Sequence, residues 1–333
     1  MLDLEIKSEF KSLMKKNKKT ISELPLIKMQ YTSFSFRDHL GIQIFVYKWS
    51  PEQEQEIKGL ICILHGMAEH GKRYEQLAEV LTAQGFVCYA EDHRGHGKTM
   101  EKGKAGWLYE DGMTGVIKDI HLVIEHMRDE YPNKPIFLFG HSWGSYLAQA
   151  YMQQFGSDLA GVILSGSKGK QALLGFLILI LKIIIAFKGK DTESKFVYKV
   201  AIEPFNKPFK GEGSPNAWIS SLEETVKKYD ADPLCGFRPP NGYFLEMTRM
   251  MKYLWKRKNE AKIPKDLPIL ILYGSKDPTN NYGKDLLPLI KRYKKLGLDI
   301  NYKKYENARH EIHNDLTRDE VTTDILNFLQ QHT

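Results

Sequence analysis

Only three cysteines, Cys62, Cys88 and Cys235, occur among 333 residues. An odd number without C-x-x-C spacing excludes a disulfide framework and zinc-ribbon ligation, and the first two fall in apolar runs that read as buried strands. No metal site is expected. Long apolar runs are also lacking: ALLGFLILILKIIIAF, at residues 172–187, falls short of the roughly 20 residues of a spanning helix and carries Lys182. It reads as a helix that is buried or faces lipid. The N-terminus, MLDLEIKSEF, has neither the basic start nor the apolar stretch of a secretory signal, so a cytoplasmic location is expected. Neither G-x-G-x-x-G nor a P-loop stands in a phosphate-binding context, so no cofactor is expected. The net charge of +7 is spread along the chain. Lys11, Lys15, Lys16, Lys18 and Lys19 do cluster, but no module of interleaved aromatic and basic residues accompanies them, and the expectation is a solvated face and no nucleic-acid partner.

What is present is alternation. Residues 31–37 and 42–49 alternate around the turn Asp38-His39-Leu40-Gly41 and predict a hairpin. Short apolar runs at 59–64, 86–90, 135–139 and 160–164 then alternate with helical patterns at 74–83, 116–131 and 145–155. Strands separated by helices imply a mostly parallel sheet with helices on both faces. After Ser165 the pattern stops for about a hundred residues, a length typical of an inserted unit. A helix is expected at 243–258, a strand at 267–273, a helix at 284–296, a strand at 299–305 and a last helix at 319–330. The division that follows is an N-terminal extension (1–30), a discontinuous α/β core (31–165 and 243–333) and a helical lid (166–242).

The segment IFLFGHSWGS, residues 136–145, runs a buried strand into G-x-S-x-G and then a helix. In that context Ser142 reads as a nucleophile on a sharp strand-to-helix turn, with glycines on either side removing side chains that would collide. The helix N-terminus points N–H groups at a developing oxyanion, so the Trp143 N–H is one expected donor; the Met67 N–H, in the loop after strand 59–64, is the other. A serine needs a base held by an acid, in the chain order Ser, Asp, His. Asp277 lies just past strand 267–273, and His310 follows strand 299–305. His313 is the rival base and reads as a packing residue. His65 reads as a brace for its loop, and the histidine-dense stretch 91–98 as a polar turn rather than a metal site.

Taken together, HGMAEHGKRY (65–74), DHRGHGKT (92–99), GHSWGS (140–145), GSKDP (274–278) and ARHEIHND (308–315) resemble the monoglyceride lipase and lysophospholipase-like branch of the α/β-hydrolases, grouped with the S33 serine aminopeptidases. The resemblance implies an α/β-hydrolase fold, the triad Ser142, Asp277 and His310, and oxyanion donors at Met67 and Trp143. Where the family usually has GHSMGG, Trp143 and Ser145 alter the pocket wall and the helix packing. Trp143, Phe176, Leu177, Leu234 and Phe237 are the expected substrate-facing side chains. The apolar lid implies a lipid-derived monoester as substrate and peripheral membrane contact. Two alternatives remain open: an aminopeptidase or short-chain esterase, for which Glu69, Glu203 and Asp230 offer carboxylates, and a non-catalytic binding protein of the same fold.

Overall fold

The computed structural model describes residues 29–52 and 55–333. The lysine cluster and nearly all of the N-terminal extension lie outside them. Eight strands form one sheet: β1 (Met29–Arg37), β2 (Gln43–Pro51), β3 (Gly59–Leu64), β4 (Phe86–Glu91), β5 (Ile136–His141), β6 (Gly161–Ser165), β7 (Ile269–Gly274) and β8 (Ile300–Tyr305). Their order is β1-β2-β4-β3-β5-β6-β7-β8. Strand β2 pairs antiparallel with both neighbours, and every pairing from β4 to β8 is parallel. The expected hairpin and mostly parallel sheet are both present.

Strands β3 to β7 are buried throughout, which is why they read as continuous apolar runs rather than alternating ones. Their side chains divide by parity between two cores. Leu60, Cys62 and Leu64 meet helices α2 (Gly112–Glu130), α3 (Trp143–Phe155), α7 (Asn241–Leu254) and α9 (Leu287–Lys295) on one face. Ile61 and Ile63 meet α1 (Glu75–Ala83) and α10 (Arg318–Gln331) on the other.

The chain leaves the sheet after Ser165 and re-enters at Ile269. Between them lie α4 (Leu174–Lys188), α5 (Lys195–Ala201), α6 (Glu223–Ala231), α7 and the single turn α8 (Arg257–Glu260). The helix expected at 243–258 is therefore two pieces. Lys256 takes an extended ψ of 127°, and Asn259 Nδ2 donates to Tyr253 O at 2.7 Å, adding a side-chain bond to a carbonyl in the last turn of α7. Helices as short as α5 and α6 carry too few turns of apolar periodicity to be seen in advance. No helix among the described residues is long and apolar enough to cross a membrane.

Beneath the β4 loop, Arg94 is wholly buried and holds the β1–β2 turn and α2 through three carboxylates. Its Nη2 donates to Asp38 Oδ2 at 2.6 Å, its Nε to Asp119 Oδ2 at 2.6 Å, and Nη1 pairs with Asp111. Removing one partner of a buried ionic cluster strands the others, a loss of about 3–5 kcal/mol. Arg94→Met should lower the unfolding free energy in urea by about that amount. A loss of under about 1 kcal/mol would show that the β1–β2 turn and α2 do not depend on it.

Candidate active site

The C-terminal ends of β3, β4, β5, β7 and β8 converge on one edge of the sheet, where parallel α/β folds collect their sites. At the end of β5, Ser142 has φ 52° and ψ −116°, a left-handed conformation that L-residues avoid. The bend is fixed from both sides. Ser142 N–H donates to Ser165 O at 2.9 Å, and its carbonyl accepts from Ser145 N at 3.0 Å and Ser145 Oγ at 2.6 Å. Ser145 thus anchors the turn, and its Oγ also lies 2.9 Å from Ser167 Oγ. Gly144 packs directly on the carbonyls of Leu64 and His65, where any Cβ would overlap Leu64 O. Gly140 sits just as close to Gly144, with a Cβ position 2.9 Å from that of Ala148. These two approaches bring the N-terminus of α3 against the loop that carries Met67.

Asp277 is fully buried after β7. Its Oδ1 accepts from Thr279 N at 2.8 Å and Thr279 Oγ1 at 2.7 Å, and its Oδ2 from Asn280 Nδ2 at 2.9 Å. His310 Nδ1 lies 3.0 Å from the same Oδ2. Burial disfavours the charged imidazole, but the Asp277 carboxylate outweighs it and holds His310 above its ordinary range. His310 Nε2 is buried without a hydrogen-bond partner among the described residues, so no hydrogen bond joins it to Ser142 in this conformation. Gly166, at φ 56°, makes room for the ring: a Cβ there would sit 2.9 Å from His310 Cε1.

The other histidines of this edge behave differently. Burial lowers His93 and His96 to about 3 and His313 to about 4, and drives His65 and His141 well down. His313 stacks on Tyr74 at 4.8 Å, and both of its ring nitrogens are unpartnered among the described residues. His65 Nδ1 lies 2.7 Å from Gly66 O, and its Nε2 accepts from His93 N at 3.0 Å, bracing the β3 loop against the β4 loop. Near Met67, Gly66 N–H donates to Glu69, whose Oε1 also accepts from Tyr74 Oη at 2.9 Å. Arg73 pairs with Glu69 and reaches Glu311 at 2.8 and 2.7 Å, so one buried guanidinium links the Met67 loop to the His310 loop. Nothing in the sequence pattern flagged that link.

The expected substrate-facing residues are dispersed. The Trp143 ring is buried, stacked on His96 at 5.0 Å and edge-on to Tyr243 at 5.2 Å. Phe237 lies 5.1 Å from His96, and Leu234, three residues earlier, is half-buried. Leu177 packs against the core, whereas Phe176 is 60% exposed. One aromatic was missed: Trp218, in the inserted segment, lies 5.1 Å from the His310 ring. It stands in no motif, and only the folded insertion brings it there.

A model of the family described as serine aminopeptidase, S33, matches residues 55–317. The chain belongs to that family. This S33-family chain is 24% identical to a monoacylglycerol lipase of Mycolicibacterium smegmatis, over 90% of its own length and 96% of the relative's. To the human monoglyceride lipase it is 28% identical, covering 86% and 84% of the two chains. Among solved structures, a thermostable carboxyl esterase from Bacillus coagulans superposes with a TM-score of 0.84 at 30% identity, covering 92% of this chain and 99% of that one. A soluble variant of the Saccharomyces cerevisiae monoglyceride lipase shares the fold, with a TM-score of 0.70 at 20% identity and coverage of 93% and 97%.

In this S33-family chain the upward displacement of His310 comes chiefly from Asp277, through its charge and its hydrogen bond, with Glu311 and Glu69 adding to it. Asp277→Asn should therefore move the His310 titration, followed by NMR of the imidazole, from above the ordinary value to below it, by at least about one pH unit. An unmoved titration would mean that Asp277 does not carry its charge next to Nδ1.

Proposed function

We propose that the chain hydrolyses a lipid-derived monoester, a monoacylglycerol or lysophospholipid, through an acyl-enzyme on Ser142. The broader class, a serine hydrolase of carboxylic esters, rests on its family and on 30% identity to a carboxyl esterase along nearly the whole chain. The observation that carries the finer reading is the insertion. Its helix α4 leaves an apolar face in solvent, on a domain whose sheet edge holds Ser142 and the Asp277–His310 pair. The relatives named as monoacylglycerol and monoglyceride lipases support the same substrate class. We assign residues 166–242 to the lid and the rest, from residue 31, to the core.

In this reading Ser142 Oγ attacks the ester carbonyl carbon as His310 Nε2 takes its proton. Asp277 fixes the Nδ1–H tautomer and stabilises the imidazolium. The tetrahedral oxyanion lies against the N–H groups of Met67 and Trp143. Collapse breaks the bond to the leaving alcohol, which receives the proton from His310, and water then releases the fatty acid by the reverse sequence. Aminopeptidase action is the weaker reading, because two of the three carboxylates weighed for an amine are engaged and the third, Glu203, is exposed on the surface: Glu69 is paired with Arg73, and Asp230 accepts from Ser214 at 2.6 Å and Asn216 at 2.8 Å.

The deciding experiment follows hydrolysis of p-nitrophenyl esters of increasing acyl length, a monoacylglycerol and an aminoacyl amide, with wild type and Ser142→Ala. Expected are rates that rise with acyl length and fall at least about a thousandfold in the variant. Fastest turnover of the shortest ester or of the amide would replace the lipid reading. Equal inertness of both proteins, with the fold intact by circular dichroism, would replace the enzyme with a binding protein.

We also propose that the protein is cytoplasmic and works at a membrane surface. Leu173, Phe176 and Phe187 are 77%, 60% and 86% exposed, and Leu179, Ile183, Phe196 and Val200 are more than half exposed or close to it. An apolar patch of this kind marks a contact surface. Wild type should co-sediment with phosphatidylcholine vesicles, and Phe176→Glu/Phe187→Glu should not. Sedimentation unaffected by the two charges would assign any contact to another face.

A further inference from the structure

We propose that His70, Asp232 and Cys235 form a binding site for a divalent transition-metal cation, zinc being the best fit, at the seam between the insertion and the sheet edge. One ligand atom from each of the three lies within 4.8 Å of the other two. The donors are a nitrogen, an oxygen and a sulfur. That mixture suits zinc and its neighbours, whereas magnesium and calcium take oxygen ligands.

Two of the three are already together: His70 Nε2 is 2.9 Å from Asp232 Oδ2. The other ring nitrogen, Nδ1, is buried with no hydrogen-bond partner among the described residues, on a side chain only 6% exposed. An imidazole can carry a cation on one nitrogen and its proton on the other, so an ion lying between Nε2 and Oδ2 takes the place of their hydrogen bond while the ring proton moves to the free Nδ1. Asp232 and Cys235 are presented by one turn. Cys235 N donates to Asp232 O at 3.0 Å and Leu234 N to Asp232 Oδ1 at 2.9 Å, and Gly236, at φ 69°, closes it. That turn is moored on the Met67 loop, since Gly236 N and Tyr229 Oη both donate to Ala68 O at 2.9 Å.

Charge is compatible with a cation. Arg73 stands near both acidic ligands, but its guanidinium is taken up by Glu69 and Glu311. On binding, the Cys235 thiol gives its proton to solvent, and the thiolate, the Asp232 carboxylate and the imidazole coordinate the ion, leaving a fourth position for water. Asp232, 30% exposed on its side chain, provides the way in. None of the three takes part in the proposed ester cleavage, so the site stands or falls separately from that reading. A bound cation would staple the insertion to the loop that carries Met67.

The test uses the whole chain, stripped with a chelator and titrated with cobalt(II), then with zinc in competition. One equivalent of cobalt should produce a thiolate-to-cobalt charge-transfer band in the near ultraviolet, which zinc abolishes. A cation held by Asp277 and His310 would give no such band, because no thiol is present there. Cys235→Ser should lose the band, and His70→Gln, which keeps the thiol, should weaken cobalt affinity about tenfold or more. Absence of the band in wild type, its persistence in Cys235→Ser, or unchanged affinity in His70→Gln would each overturn the proposal. Should Cys235→Ser fail to fold, Asp232→Asn serves in its place, with the same weakening expected.

Discussion

At φ 52° and ψ −116°, Ser142 occupies a backbone region that costs of order 1–3 kcal/mol, and the surroundings are built so that no cheaper conformation is open to it. Its N–H is tied to the end of β6, its carbonyl to Ser145, and the helix that follows is pressed so close to β3 that Gly144 has backbone where a side chain would be. The rest of the edge depends on this contact. It sets the height of the α3 N-terminus over the sheet, and through Leu64 and His65 it fixes where the Met67 loop begins. Relaxing the bend would separate the serine from both loops at once.

The electrostatics single out one histidine by a simple rule. Burial pushes His65, His93, His96, His141, His310 and His313 toward neutrality, and a neighbouring carboxylate reverses the push only if it keeps its own charge. Glu91 stands 2.8 Å from His93 but is itself raised to about 8 by burial, with one oxygen unpartnered among the described residues, so His93 stays near 3. Asp277 receives Thr279 N, Thr279 Oγ1 and Asn280 Nδ2 as well as His310. Three donors besides the imidazole stabilise its charge. The distinction between His310 and His313 is thus one of partners, because both rings are equally buried.

That distinction marks the limit of what the sequence discloses. Ser142 was legible because its constraint is local: the glycines, the preceding apolar run and the following helix all lie within ten residues. The strands β3 to β7 were legible for the same reason, since complete burial writes itself as an unbroken apolar run. Asp277 and His310 were legible through chain order and strand ends. The Arg73 bridge between Glu69 and Glu311 was not, because it joins positions more than two hundred residues apart whose neighbours in sequence look like ordinary solvated charges. Trp218 was missed, and the stacking of the Trp143 ring on His96 went unforeseen, on the same ground: which way an aromatic turns depends on the folded insertion, not on its neighbours in the chain.

The insertion shows how far local physics can be suspended. Helix α4 packs Leu174, Leu177, Ile178, Leu181, Ile184 and Ile185 against the core, yet Phe176, Leu179, Ile183 and Phe187 return at helical spacing on the opposite side, in solvent. A helix that needed only to cover the sheet edge would carry charge on that outer stripe, as surface helices do. An apolar residue there adds nothing to folding and raises the hazard of association. Arg309, meanwhile, ties the same insertion down from the core, donating to Ala217 O at 2.6 Å and Ser220 O at 3.1 Å and pairing with Glu212. The residue beside His310 therefore anchors residues 212–220 of the insertion, the stretch that brings Trp218 to 5.1 Å from the imidazole.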